Sequence, residues 1–231
     1  MVKEGAIQSG SGFSRRMGVV DGLLSEIGRA IQVLDGSVHA GRPNPAGKPA
    51  KAAAQNAAEP LTSAEQKHAV GLMRVNHVGE ICAQALYRGQ ALLCGDAPIQ
   101  RLLHQAANEE VDHLVWCRQR LTELESRPSL LNPFWYVGSF SLGLVASRAG
   151  VARNLGFMAE TESQVERHLN QHLTDLPLHD ERSRIIVKQM RDDEIQHRMT
   201  AETHGAQKLS RPARLVMRAM SKVMTITAYR I

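Results

Sequence analysis

The chain has 231 residues, enough for one sizeable hydrophobic core plus an appendage. Its net charge of +5 is local, because Lys208, Arg211, Arg214, Arg218, Lys222 and Arg230 follow the last acid, Glu202, and leave the rest of the chain near −1 (+5 minus +6). With Tyr229 as the only aromatic among those cations and no recognition motif, the composition argues against a nucleic-acid partner, and three cysteines without C-x-x-C spacing argue against a disulfide framework.

In chain order, residues 1–16 are Gly/Ser-rich, and Val20, Leu23, Leu24, Ile27, Ile31 and Leu34 predict an amphipathic helix over about 18–35. No apolar h-region marks a secretory signal in the first 30 residues, and Glu4, Asp21 and Glu26 make a poor transit peptide. Gly36 to Pro60 is Ala-, Pro- and Gly-rich and is expected to be a flexible linker, so that residues 1–61 form an appendage to a domain over 62–231. That domain starts at Thr62-x-x-Glu65, a capping-box signature, and its first helix runs to Cys94 before Gly95 stops it. Pro98 suits the first turn of a second helix, expected to last to about Arg127.

A long crossover, about 128–157, follows. Its stretch 128–147 carries no charge and holds Phe134, Trp135, Tyr136 and Phe140, while Asn132, Pro133, Ser139 and Ser141 argue against a membrane span. A buried crossover helix is the ordinary expectation, and a lipid-contacting helix with Trp135 and Tyr136 at an interface is the functional alternative. At the far end, Arg211, Arg214, Arg218 and Lys222 form a helical stripe opposite Leu215, Val216, Met220, Val223 and Met224. A basic amphipathic helix of this kind suits an anionic membrane surface; a closing helix with a solvated basic face is the alternative.

The chemistry is carried by two Glu-x-x-His pairs, Glu110–His113 and Glu194–His197. Glu80 lies 30 residues before the first and Glu162 lies 32 before the second, with midpoints at 95 and 178. Both midpoints fall on turn chemistry, Cys94-Gly95-Asp96-Ala97-Pro98 and Asp175-Leu176-Pro177-Leu178. If each interval is a helical hairpin, the lone glutamate and the pair share one height on antiparallel neighbours. Two packed hairpins then bring four carboxylates and two imidazoles to one level, the ligand set of a carboxylate-bridged two-metal site in a four-helix bundle with a long crossover, as in ferritin-like folds. Residues three apart share a helix face, so each pair can present an oxygen and a nitrogen to one metal. Four buried carboxylates need counter-charge, and two divalent cations supply it; carboxylate with imidazole suits iron or manganese.

Neighbouring residues have their own expected places. Glu65–His68 is a third Glu-x-x-His without a matching partner and reads as solvated. Glu109 and Asp193 precede the ligand glutamates equivalently and could hydrogen-bond the ligand histidines or stay exposed. Tyr87 shares the Glu80 face, as a donor to the site or a core residue, while Asn76 and His77 are read chiefly as packing residues. On the third helix Glu160 points away from Glu162, whereas Glu166 competes with it; the hairpin midpoint is 178 for Glu162 and 180 for Glu166, and the turn residue Pro177 tips the choice to Glu162. His168 could line the cavity or lie on the surface.

The runs Arg74-Val-Asn-His-Val-Gly-Glu80, Glu109-Glu-Val-Asp-His113, Glu160-Thr-Glu-Ser163 and Asp193-Glu-Ile-Gln-His197 resemble the demethoxyubiquinone hydroxylase family over about residues 62–231. The resemblance implies a ferritin-like di-iron monooxygenase of ubiquinone biosynthesis that hydroxylates the ring of a polyprenylated methoxy-benzoquinol with O2. It implies two Fe2+ ions held by Glu80, Glu110, His113, Glu162, Glu194 and His197, and adds weight to His168, since the family has a histidine six residues after the third-helix glutamate. Electrons would come from NADH or from the quinol itself, though no G-x-G-x-x-G following a strand offers a Rossmann site for the nicotinamide. Expected partners are the quinol, the membrane surface and other ubiquinone-biosynthesis proteins, and the expected location is the cytoplasmic face of a bacterial inner membrane, or else the matrix face of the mitochondrial one. The rival readings are another ferritin-like di-iron oxidase or peroxidase and a non-catalytic quinone- or lipid-binding scaffold.

Overall fold

The computed structural model describes residues 19–48 and 60–231. The expectations for residues 1–18 and for the 49–59 part of the linker lie outside the described residues. The described residues form helices α1 (Val19–Asp35), α2 (Ser63–Leu92), α3 (Ala97–Glu123), α4 (Asn132–Ser147), α5 (Val151–Asp175), α6 (Glu181–Thr203) and α7 (Arg211–Arg230), with no strand among them. The all-α expectation holds. Helices α2–α3 and α5–α6 are the two hairpins of a ferritin-like bundle, α4 is the crossover, and α7 follows the bundle.

Local chemistry sets the helix ends. Thr62 N donates to the Glu65 carboxylate at 2.9 Å while Glu65 N donates to Thr62 Oγ1 at 3.3 Å, the capping box that starts α2 and contributes about 1 kcal/mol. Glu65 is therefore a cap, and His68 is half-buried against Tyr229 Oη (2.8 Å) and the Asp175 carbonyl (3.1 Å) instead of solvated. Asp96 caps α3 through Ile99 N at 3.0 Å. α3 ends at Glu123, short of Arg127, because the chain turns through Glu125 at φ 57°. At the foot of the bundle, buried Arg120 donates to Asp180 Oδ1 (2.8 Å) and Ser183 Oγ (2.8 Å), tying α3 to the start of α6.

α2 is buried on nearly all sides, between α3 and α4 and under α7. Glycines make this possible: a Cβ on Gly89 would lie 2.3 Å from the Phe140 carbonyl oxygen, and one on Gly143 2.2 Å from that of Leu86. The backbones of α2 and α4 thus touch, which only a residue without a side chain permits.

The crossover helix is not buried as the ordinary expectation had it. α4 buries Tyr136, Gly143 and Ala146 but leaves Phe134 71% and Val137 64% exposed. α7 likewise packs Ala228 and Met224 near Val75 and Val78 of α2, while Leu215, Val216, Met220, Val223 and Ile226 stay exposed. On α1, Leu23, Leu24, Ile27 and Ile31 face outward, and Glu26 pairs with Arg88 of α2. No helix among the described residues is long and apolar enough to cross a membrane.

Residues 36–48 differ from the expected flexible linker. They form a strap along α3: Gly41 N donates to Asp112 Oδ1 at 2.6 Å, Asn44 Nδ2 to Gln119 Oε1 at 2.8 Å, and Arg182 Nη1 to the Ala46 carbonyl at 2.7 Å. The proline-rich strand is held because polar side chains of α3 and α6 satisfy its backbone.

Candidate metal centre

The six expected ligands converge at mid-bundle. Glu80 (α2), Glu110 and His113 (α3), Glu162 (α5), Glu194 and His197 (α6) are all buried, none more than 7% exposed. Their ligand atoms form two groups, Glu80–Glu110–His113–Glu194 and Glu110–Glu162–Glu194–His197, each within 4.8 Å. Glu110 and Glu194 belong to both groups. They could therefore serve two ions at once, with Glu80 and His113 beside one position and Glu162 and His197 beside the other. Glu166 turns away to accept from Arg198 Nε at 3.2 Å, which leaves Glu162 as the α5 contribution.

Both histidines turn Nδ1 to the centre. His113 Nδ1 lies 3.1 Å from Glu110 Oε2, and His197 Nδ1 lies 3.3 Å from Glu194 Oε2. Each Nε2 faces outward onto a carboxylate from the other hairpin: Asp193 for His113 (2.9 Å) and Glu109 for His197 (2.7 Å). Arg42 of the strap in turn donates to Asp193 Oδ2 at 2.8 Å. The crossing of these partners and the role of Arg42 were not read from spacing, since Arg42 lies far from Asp193 in sequence and in the stretch taken for a linker.

The charge balance fits divalent metals. Burial, with Glu110 and Glu194 nearby, raises the Glu80 carboxyl well above its usual range, and burial with Glu194 and Glu110 does the same to Glu162. Burial also opposes charge on Glu110, Glu194 and both imidazoles, but mutual hydrogen bonds outweigh it; Glu110 and Glu194 are lowered, and His113 and His197 are raised. Four carboxylates and two neutral imidazoles around two divalent cations would sum to zero charge. Glu162 Oε2 is buried without a hydrogen-bond partner, a cost of about 1–3 kcal/mol or more that a bound cation would remove. The residues fit the two-metal expectation.

Tyr87 is fully buried and donates its hydroxyl to Glu162 Oε1. Burial and Glu162 push the phenol well above its usual range, so it remains a donor. His168 does not touch the ligands. It lines a cavity of about 160 Å³ with Glu80, Asn76, Trp135, Leu142 and Met224, enclosed by α2, α4, α5 and α7. Its Nε2 has no partner, its ring lies tilted against His172 with centroids 3.9 Å apart, and burial lowers it to about 4, so it is neutral. His77 is buried, lowered by burial to about 3, and stands outside both ligand groups, whereas Asn76 lines the cavity.

The arrangement could hold two adjacent cations beside an apolar cavity that has one of the clustered residues, Glu80, in its wall. Comparison with known proteins agrees with that chemistry. The chain is 63% identical over 218 residues to the 3-demethoxyubiquinol 3-hydroxylase of Bordetella avium, covering 94% of this chain and 97% of the relative. It is 61% identical over 221 residues to that of Bordetella parapertussis (96% and 97%) and 55% identical over 217 residues to that of Ralstonia pickettii (92% and 100%). Residues 67–228 match the family model described as ubiquinone biosynthesis protein COQ7, and the chain belongs to that family.

Proposed function

We propose that this protein is a 3-demethoxyubiquinol 3-hydroxylase, a di-iron monooxygenase that converts a ring C–H of a polyprenylated methoxy-benzoquinol to C–OH. The observation that carries the reading is the pair of ligand groups sharing Glu110 and Glu194 beside a cavity walled by Glu80. One oxygen of O2 enters the ring and the other leaves as water, which takes two electrons and two protons, both pairs from a quinol or the electrons from NADH with one proton from it and one from solvent. Two ferrous ions, when bound, supply the O2 chemistry; mixed carboxylate and imidazole donors suit iron. The chain's own residues do the rest. Glu80 and His113 would hold one ion, Glu162 and His197 the other, and Glu110 and Glu194 would bridge them. Asp193 and Glu109 orient the imidazoles and keep their Nε2 protons. Tyr87 anchors Glu162 by a hydroxyl that does not ionise. The apolar cavity wall excludes water and accepts the ring, while His168, a neutral imidazole there, is the group to meet a quinol hydroxyl.

The exposed apolar faces of α4 and α7, with the basic stripe of α7, support a peripheral membrane location from which an isoprenoid quinol enters between these helices. The bacterial relatives support a bacterial membrane over a mitochondrial one, and the face we propose is the cytoplasmic one of the inner membrane. Flotation with anionic liposomes tests this: the full chain floats, and loss of residues 209–231 weakens it; a protein that stays soluble in both forms overturns it.

The chemistry is tested by a single turnover. The protein is loaded anaerobically with ferrous iron and short-chain demethoxyubiquinol, 18O2 is admitted, and the product is weighed. One labelled ring hydroxyl is expected. Two bound irons without ring oxygenation would indicate a different di-iron oxidase, and failure to bind iron would leave a lipid-binding scaffold.

A further inference from the structure

Arg42 is held on several sides at once. Its Nη2 donates to Asp193 Oδ2 at 2.8 Å and its Nε to Asp112 Oδ2 at 2.7 Å, while Gly41 N fixes Asp112 Oδ1 at 2.6 Å. The guanidinium lies 5.0 Å over the Trp116 ring, which itself lies 5.4 Å from the His113 imidazole. Asp193 Oδ2 therefore accepts from Arg42 and from His113 Nε2 (2.9 Å) together, with Gln189 Nε2 on Oδ1 at 2.9 Å.

The other half of the centre is built differently. Glu109, which holds His197, takes its second hydrogen bond from the neutral Gln105 amide at 2.9 Å, and its side chain is 39% exposed against 17% for Asp193. One ligand histidine thus leans on a carboxylate shared with an arginine, the other on a carboxylate whose further donor is a neutral amide. A carboxylate behind an imidazole raises its basicity as a ligand and fixes its ring. Sharing that carboxylate with a guanidinium lowers the first effect and strengthens the second.

We propose that Arg42 is a positioning residue that makes the two metal sites inequivalent, aiming His113 through Asp193 so that the metal sharing Glu80 with the cavity is the more rigidly ligated and the less electron-rich. The inference rests on the two-iron reading above. It gives a purpose to the strap, which lies outside the residues 67–228 that match the family model, and it links the N-terminal appendage to the reacting centre.

The test uses the full chain loaded with 57Fe2+, Mössbauer spectra and competition with a chelator, in the wild type, Arg42→Met, Arg42→Lys and Glu109→Gln. Wild type is expected to show two doublets of equal area. Arg42→Met shifts one doublet and weakens one iron about 10-fold or more, Arg42→Lys restores part of both effects, and Glu109→Gln perturbs the other doublet. If Arg42→Met does not fold, Arg42→Lys, which retains the charge but not the two-armed grip, carries the comparison by shifting the same single doublet less far. A single wild-type doublet, an arginine variant identical to wild type, or one that disturbs both irons alike overturns the inference while leaving the two-iron reading intact. A wild-type chain that does not hold two irons overturns both.

Discussion

Glu109 on α3 accepts the Nε2–H of His197 on α6 at 2.7 Å, so the residue beside one Glu-x-x-His pair holds the histidine of the other. Asp193 and His113 make the mirror contact at 2.9 Å. The hairpins are cross-braced, and neither half of the centre is complete without the other. Asp193→Asn keeps the shape but removes the charge behind His113, and we expect a loss of about 10- to 100-fold in iron affinity or turnover. Chelator competition measures it, and wild-type affinity together with wild-type turnover would contradict the brace.

Metal binding should release protons. In the metal-free centre burial raises Glu80 and Glu162, and hydrogen bonds to carboxylates raise His113 and His197, so all four favour their protonated forms. Ligation requires the deprotonated forms. Loading divalent ions should therefore release protons, and binding should weaken as pH falls. Calorimetry in two buffers of different ionisation enthalpy reads the number; release near zero would mean that the charge balance is drawn wrongly.

On α5 the choice between Glu162 and Glu166 can be made by substitution. Glu162→Gln removes the negative charge of the α5 carboxylate while keeping an oxygen that can accept from Tyr87, and should reduce bound iron from two toward one per chain. Glu166→Gln removes only a half-buried pair with Arg198 and should cost below about 1 kcal/mol with iron content unchanged. The reverse pattern would move the ligand by one turn.

Gly143→Ala tests the contact between α4 and α2. The new Cβ would sit 2.2 Å from the Leu86 carbonyl oxygen and 2.9 Å from Gln90 N, both backbone atoms. α4 must shift, and we expect destabilisation of about 1–3 kcal/mol, read as a lower thermal midpoint. Because Trp135, Ser139 and Leu142 of α4 wall the cavity, KM for the quinol should rise in the same variant. An unchanged midpoint would show that the helices are less closely apposed.

Much of this protein was legible before any tertiary contact. The capping box at Thr62, the turn chemistry at the hairpin midpoints and the Glu-x-x-His spacing are local, and a helix of fixed pitch converts spacing into a shared face. That determined the helices, the six convergent ligands and the family resemblance. The tertiary structure alone decided which glutamates are shared, because bridging depends on distances between four helices and not on position within one. It decided that Glu109 and Asp193 reach across hairpins, and that Arg42 closes over Asp193 from a stretch whose composition reads as linker. It also left the apolar faces of α4 and α7 uncovered, since periodicity marks a face as apolar but does not say whether protein or lipid lies against it. Spacing along one chain segment is set by backbone geometry; pairing between segments is set by packing, which no single segment encodes.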